Sequence, residues 1–424
     1  MRKLLISALL ALAGSVVLSA QHNTREEVLA NIDLAGGTYS QYPTGQPAPA
    51  PAPKGYKPFY LSHMGRHGAR YIGGNGTYTQ IKMLMDQAHD RGLLTEEGEK
   101  MYQAYIHVFP RLQYREGVLT RKGQEQHRQI ATQIHRDYPA LFKGKTRASA
   151  LSTASHRVIL SMACFLDQMK CLDPDFTCEV DYGIRYYDML VPESPDGPRY
   201  VERVPFPEET MAAYDRFAAE VFDEDAVLRR WITCPDSLGT DKSSILYVMS
   251  SLVADFSSLD FPVSDTLTNL FTNEERYHMW QIQNWSDYLY TARAKGIDIR
   301  RCLEMSVTVK DIIDRFEEDV ADGVAMRLRF SHDTALMPLI SYLGVNGMDI
   351  VTDDPHALED TWRNFSVPMG CNLQIVFFRN KKDPDDILIQ VLLNGFQATL
   401  PLPEAAPGFY RWSDFKARFD RLEV

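Results

Sequence analysis

Three short apolar stretches in this chain each run into arginine and histidine and then into a helical pattern. Phe59-Tyr60-Leu61 leads to Gly65-Arg66-His67-Gly68-Ala69-Arg70, Leu151-Ser152-Thr153 leads to His156-Arg157, and the alternating run 325–330 leads to Ser331-His332-Asp333-Thr334. Strand followed by helix, repeated at both ends of a chain, specifies an α/β sheet, and such sheets place their ligand sites where strands end and helices begin. Each junction alone has an ordinary explanation: a solvated basic turn, or Asp333 capping the helix after it. Together they require a common cause. Guanidinium groups offer planar paired donors for phosphate oxygens and keep their charge at any working pH. An imidazole between two of them can carry a phosphoryl group. Arg157 stands at a helix start, where the dipole opposes a cation unless an anion sits between. The helix after His332 favours an anion at its N-terminus. Gly68 removes a side chain where an anion would approach the backbone.

The rest of the chain bounds this reading. With 424 residues, 45% apolar and 24% charged, it has room for two domains or for one with a large insertion. A net charge of -11 argues against nucleic acid as the main partner. It leaves room for a small phosphorylated substrate held by a focused positive pocket. Residues 1–20 carry Arg2-Lys3, an apolar stretch and Ser19-Ala20, the pattern of a cleaved signal peptide, so export to the periplasm or beyond is expected. No later apolar run is long enough for a membrane span. Residues 21–56 read as a solvated lead with a Pro/Ala strut at 47–53. Residues 57–170 read as the first part of an α/β core, 171–323 as a mostly helical insertion or cap, and 324–424 as the second part of the core. Helices are expected at 79–91, 95–108, 119–138 (Thr120 as N-cap), 157–169 and 335–343, with Pro338 in the first turn of the last. The six cysteines permit several pairings, Cys171 with Cys178 among them, and show no metal-ligand spacing.

The junctions also carry a resemblance. Arg66-His67-Gly68-Ala69-Arg70-Tyr71, Leu119-Thr120-Arg121-Lys122-Gly123, the segment from Ser152 to Phe165 and Ser331-His332-Asp333-Thr334 are similar, in order, to the motifs of the histidine acid phosphatases. That is the branch with phytases and multiple inositol polyphosphate phosphatases. Ile72, Ala154 and Met162 depart from the family pattern. The resemblance implies a three-layer α/β sandwich with a mixed, mostly parallel sheet and a helical insertion. It implies His67 as nucleophile, Asp333 as proton donor, and Arg66, Arg70, Arg157 and His332 as phosphate ligands, with no metal and no cofactor. The substrate it implies is an inositol polyphosphate such as phytate, or else a broader set of small phosphate esters. A mutase of the same superfamily and a non-catalytic phosphate binder are the rival readings. The presence of both His67 and Asp333 speaks against the binder.

Overall fold

The computed structural model describes residues 23–74, 76–192, 194–197, 202 and 204–423, so the expected signal peptide lies outside the described residues. Among the described residues nine strands form one mixed sheet: β1 (Tyr56–Arg66), β2 (Arg147–Ser152), β3 (Thr177–Tyr182), β4 (Met326–Ser331), β5 (Asn372–Asn380), β6 (Ile387–Leu393), β7 (Phe396–Gln397), β8 (Glu404–Ala406) and β9 (Phe409–Arg411). The order is β3-β2-β4-β1-β5-β6-β9-β8, with β7 on β6. β3, β2, β4 and β1 are parallel, and pairing turns antiparallel at β5.

Helices cover both faces, because the sheet presents apolar residues on each. On β4, Met326, Leu328 and Phe330 pack with the helices Arg121–Asp137 and His156–Leu172. The alternate residues Arg327 and Arg329 point the other way and pair with Asp319 and Asp311 of the helix Met305–Ala321. On that second face Phe316 stacks on Phe377, and the helices Asp333–Leu343 and Trp412–Phe419 complete the layer. The result is the α/β sandwich expected from sequence.

Four expectations need correction. The lead is not merely solvated: helix Thr24–Ala30 buries Thr24 and Val28, and the turn Ile32–Tyr39 packs on helix Asn273–Thr291. Its apolar residues pack with Tyr277, Trp280 and Phe365 in a small hydrophobic cluster. Helices Thr77–Asp90 and Glu96–Leu112, assigned by sequence to the core, join residues 222–271 in a separate hydrophobic cluster. The helical part is therefore assembled from two stretches of chain. β3, assigned to the insertion, is instead the parallel edge strand of the sheet. Helix Asp333–Leu343 begins two residues early, so Pro338 falls in its second turn. All six cysteines are free thiols, Cys171 and Cys178 included.

Candidate functional site

β1 and β4 run side by side in register, with Arg66 opposite Ser331, so the first and third clusters leave the sheet together. The His67 N–H donates to the Ser331 carbonyl at 3.1 Å, and the Gly370 N–H donates to the His67 carbonyl at 2.9 Å. β2, on the far side of β4, delivers Thr153 and then Arg157 at the second position of its helix. Parallel pairing alone thus brings His67, Arg66, Arg70, Arg157, His332 and Asp333 to one end of the sheet.

Their hydrogen bonds define the chemistry. His67 is 1% exposed, and its Nδ1 lies 2.9 Å from the Gly68 carbonyl. A carbonyl only accepts, so Nδ1 carries the proton and Nε2 presents a free lone pair. Burial, and then the charges of Arg66, Arg157 and Arg70, hold the His67 pKa well below its ordinary value, so the ring stays neutral. Arg66 is fully buried: Nη2 donates to Asp333 Oδ2 at 2.8 Å, and Nη1 donates to the carbonyls of Val367 (3.0 Å) and Thr38. Arg70 donates to the Tyr71 carbonyl at 3.1 Å, with its guanidinium 5.0 Å from the Tyr39 ring centre. Arg157 Nη2 lies 3.5 Å from His332 Nδ1, and Thr153 Oγ1 lies 3.1 Å from His332 Nε2. Arginine has no acceptor, so His332 accepts at Nδ1 and donates from Nε2. Burial and Arg157 push its pKa down to about 3. Burial, with Arg70 nearby, also lowers Arg157 to about 10, which leaves it charged.

Asp333 is the first residue of its helix, and the cap position belongs to His332, whose side chain makes no cap bond. Its carboxylate turns to Arg66 instead of capping. Burial raises its pKa, but Arg66, Arg70, His332 and Arg157 together outweigh burial and lower it. The cage therefore gathers three guanidiniums around one carboxylate, an excess of positive charge that suits a phosphoryl group.

Gly68 has a different purpose from the one expected. A Cβ there would stand 2.3 Å from the Gly123 carbonyl oxygen, and one on Gly123 would stand 2.2 Å from the Ala69 carbonyl oxygen. The two glycines let the His67 loop and helix Arg121–Asp137 meet backbone to backbone. Thr38, Tyr39, Thr153 and Asp287 also belong to the site but carry no signal of chemistry in the sequence. His156 donates to the Gly117 carbonyl at 3.1 Å rather than entering the cage, and His63 packs on Phe330. Among the described residues no group of three or more His, Cys, Asp or Glu is placed to hold a metal ion, and no helix is long and apolar enough to cross a membrane.

An α/β sheet that delivers a neutral imidazole into a ring of arginines defines a phosphatase of the histidine type. The histidine phosphatase superfamily (branch 2) matches over residues 61–394, and the chain belongs to that family. Among solved structures, the multiple inositol polyphosphate phosphatase of Bifidobacterium longum, in complex with inositol hexasulfate, aligns with a TM-score of 0.71 at 15% identity, covering 91% of this chain and 97% of that one. The phytase from D. castellii aligns with a TM-score of 0.68 at 14% identity, covering 91% and 84%. The apo phytase of Hafnia alvei reaches 0.54 at 12% identity, covering 87% and 97%. At these identities the likeness is one of fold. No curated protein matches the sequence.

Proposed function

We propose that this chain is an exported phosphomonoester hydrolase that works through a phosphohistidine on His67. His67 Nε2 attacks phosphorus, the bond to the ester oxygen breaks, and Asp333 gives its proton to the departing alkoxide. Water then attacks the phosphohistidine while Asp333 takes a proton from it, which releases phosphate and restores the site. Arg66, Arg70, Arg157 and His332 hold the phosphoryl oxygens and meet the charge that builds up on them. The observation that carries the reading is the free Nε2 of His67, fixed by the Nδ1 bond to Gly68 and surrounded by three arginines.

Inositol polyphosphates such as phytate are the substrates favoured by the motifs and by the named activities of the fold neighbours. Small esters with a single phosphate are the second reading, favoured by the charge of the cleft beyond the cage. The mechanism is tested by an alkaline denaturing quench during turnover of radiolabelled p-nitrophenyl phosphate, followed by analysis for phosphohistidine, whose P–N bond survives base and is lost in acid. Wild type should trap label and release phosphate, and His67→Ala should do neither. Turnover by His67→Ala at a rate near wild type would reject the nucleophile.

A further inference from the structure

Beyond the cage the site opens into a cleft of about 1250 Å³. Arg70, Asp333 and Thr334 form its inner end, Thr38 and Tyr39 one wall, and the helices Glu208–Val221, Lys242–Asp255 and Asn273–Thr291 the others. Once a phosphoryl group is in the cage, this space must hold the alcohol to which it is attached. Its charge is opposite to that of the cage. Asp215, Asp223, Glu224 and Asp287 line it, and among the described residues Arg276 is its only cation outside the cage. Tyr39, Tyr214 and Tyr247 add aromatic faces.

Asp287 lines the cleft together with Asp333 and Thr334, near enough to the cage for the charges of Asp333 and Arg66 to act on it. It is half-buried and rigidly held. Gln283 Nε2 donates to its Oδ1 at 2.9 Å and Asn364 Nδ2 to its Oδ2 at 2.8 Å, while Asn364 is itself fixed by the Trp280 indole at 2.9 Å. Both donors are neutral amides, and each carboxylate oxygen keeps a lone pair. An ionised carboxylate only accepts, so it matches a hydroxyl or an ammonium group and opposes another phosphate. Discrimination by an unfavourable contact is as effective as discrimination by a favourable one.

We propose that this cleft selects esters with one phosphoryl group on an uncharged or cationic alcohol, and that Asp287 is a specificity-determining residue that receives a hydroxyl or ammonium of that alcohol and repels a second phosphate. The inference rests on the phosphohistidine reading above and takes the small-ester reading of the substrate against the inositol polyphosphate one. A polyphosphate placed with one group in the cage would set its remaining phosphates against four carboxylates and one arginine.

The test is kcat/KM for glycerol 2-phosphate, phosphoethanolamine and phytate at pH 7. Burial raises the Asp287 pKa to about 6, so the carboxylate is charged there. The better monoester should exceed phytate by at least about tenfold, the size of one lost ionic contact. Asp287→Asn should narrow that ratio by about fivefold or more, and Asp215→Lys, at an exposed position on the cleft wall, should narrow it independently. Phytate turned over as well as the better monoester by wild type overturns the proposal. So does a ratio unmoved in both variants. Phosphohistidine trapping with p-nitrophenyl phosphate is run in parallel, so absence of the phosphoenzyme identifies failure of the mechanism rather than of the selectivity.

Discussion

At the residue scale, Asp333 shows how a side chain is diverted from its local option. A carboxylate at a helix start is commonly a cap, yet here its oxygen lies 2.8 Å from Arg66, which leaves it poised between a cation and the cleft. In the free site Arg66 helps hold it ionised, against burial. A phosphate seated on Arg66 competes for that guanidinium and brings negative charge close to Asp333, so the carboxyl gains proton affinity when the leaving oxygen needs a proton. Asp333→Asn keeps the shape and loses the proton. Its kcat/KM for glycerol 2-phosphate, which reports the steps up to departure of the alcohol and not the later hydrolysis of the phosphohistidine, should fall about 10²–10³-fold, within the usual range for general acid catalysis. The fall for p-nitrophenyl phosphate should be much smaller, because its phenolate departs without help. Equal losses on the two substrates in steady-state assays would remove Asp333 from the acid role.

At the element scale, the contact of Gly68 with Gly123 couples two motifs far apart in sequence. Gly123 is in the first turn of helix Arg121–Asp137, capped by Thr120, whose hydroxyl accepts from the Gly123 N–H and donates to the Ala69 carbonyl. In an exposed helix, alanine in place of glycine stabilises by about 0.5–1 kcal/mol. Here the sign reverses, since the new Cβ would meet the Ala69 backbone at 2.2 Å. Gly123→Ala should lower stability by about 2 kcal/mol or more, a drop of several degrees in a thermal melt, and should lower activity by shifting the His67 loop. A stabilised variant would mean that the contact can open at no cost. This element was legible because a helix start writes its signal locally, as Thr120 does by capping where expected. The alternation of β4 was legible for the same reason. β3 was not, although Cys178, Val180 and Tyr182 alternate with Thr177, Glu179 and Asp181: it is a short edge strand with mostly exposed residues, and its rhythm is lost against the helical pattern that follows. The site residues Thr38, Tyr39 and Asp287 were not legible either: they reach the cage through contacts between distant parts of the chain, and nothing beside them in sequence records that.

At the scale of the whole molecule, the cage is a place where a chain of net charge -11 concentrates cations. The three arginines come from two strand ends, and the N-terminal turn locks one of them through the Thr38 carbonyl. The consequence falls on His67. Its pKa is lowered first by burial and then by Arg66, Arg157 and Arg70, so protonation of the ring, which would disable the proposed nucleophile, is postponed to pH well below the ordinary histidine range. An ordinary histidine would lose half its nucleophilic form near pH 6.5. Wild type should therefore keep its kcat/KM well below pH 6.5, with the acidic limb displaced downward. Arg157→Gln removes one of these cations without filling the cage. The sign follows: with less positive charge nearby the imidazole binds its proton more readily, so the acidic limb must move toward neutral pH. The variant also loses a phosphate ligand and will be slower throughout, so the height of the profile is uninformative and its position decides. Profiles of kcat/KM from pH 3.5 to 8, with p-nitrophenyl phosphate as substrate, give that position directly. If wild type and Arg157→Gln share the same acidic limb, Arg157 has no part in keeping His67 neutral, which is then set by burial with Arg66 and Arg70.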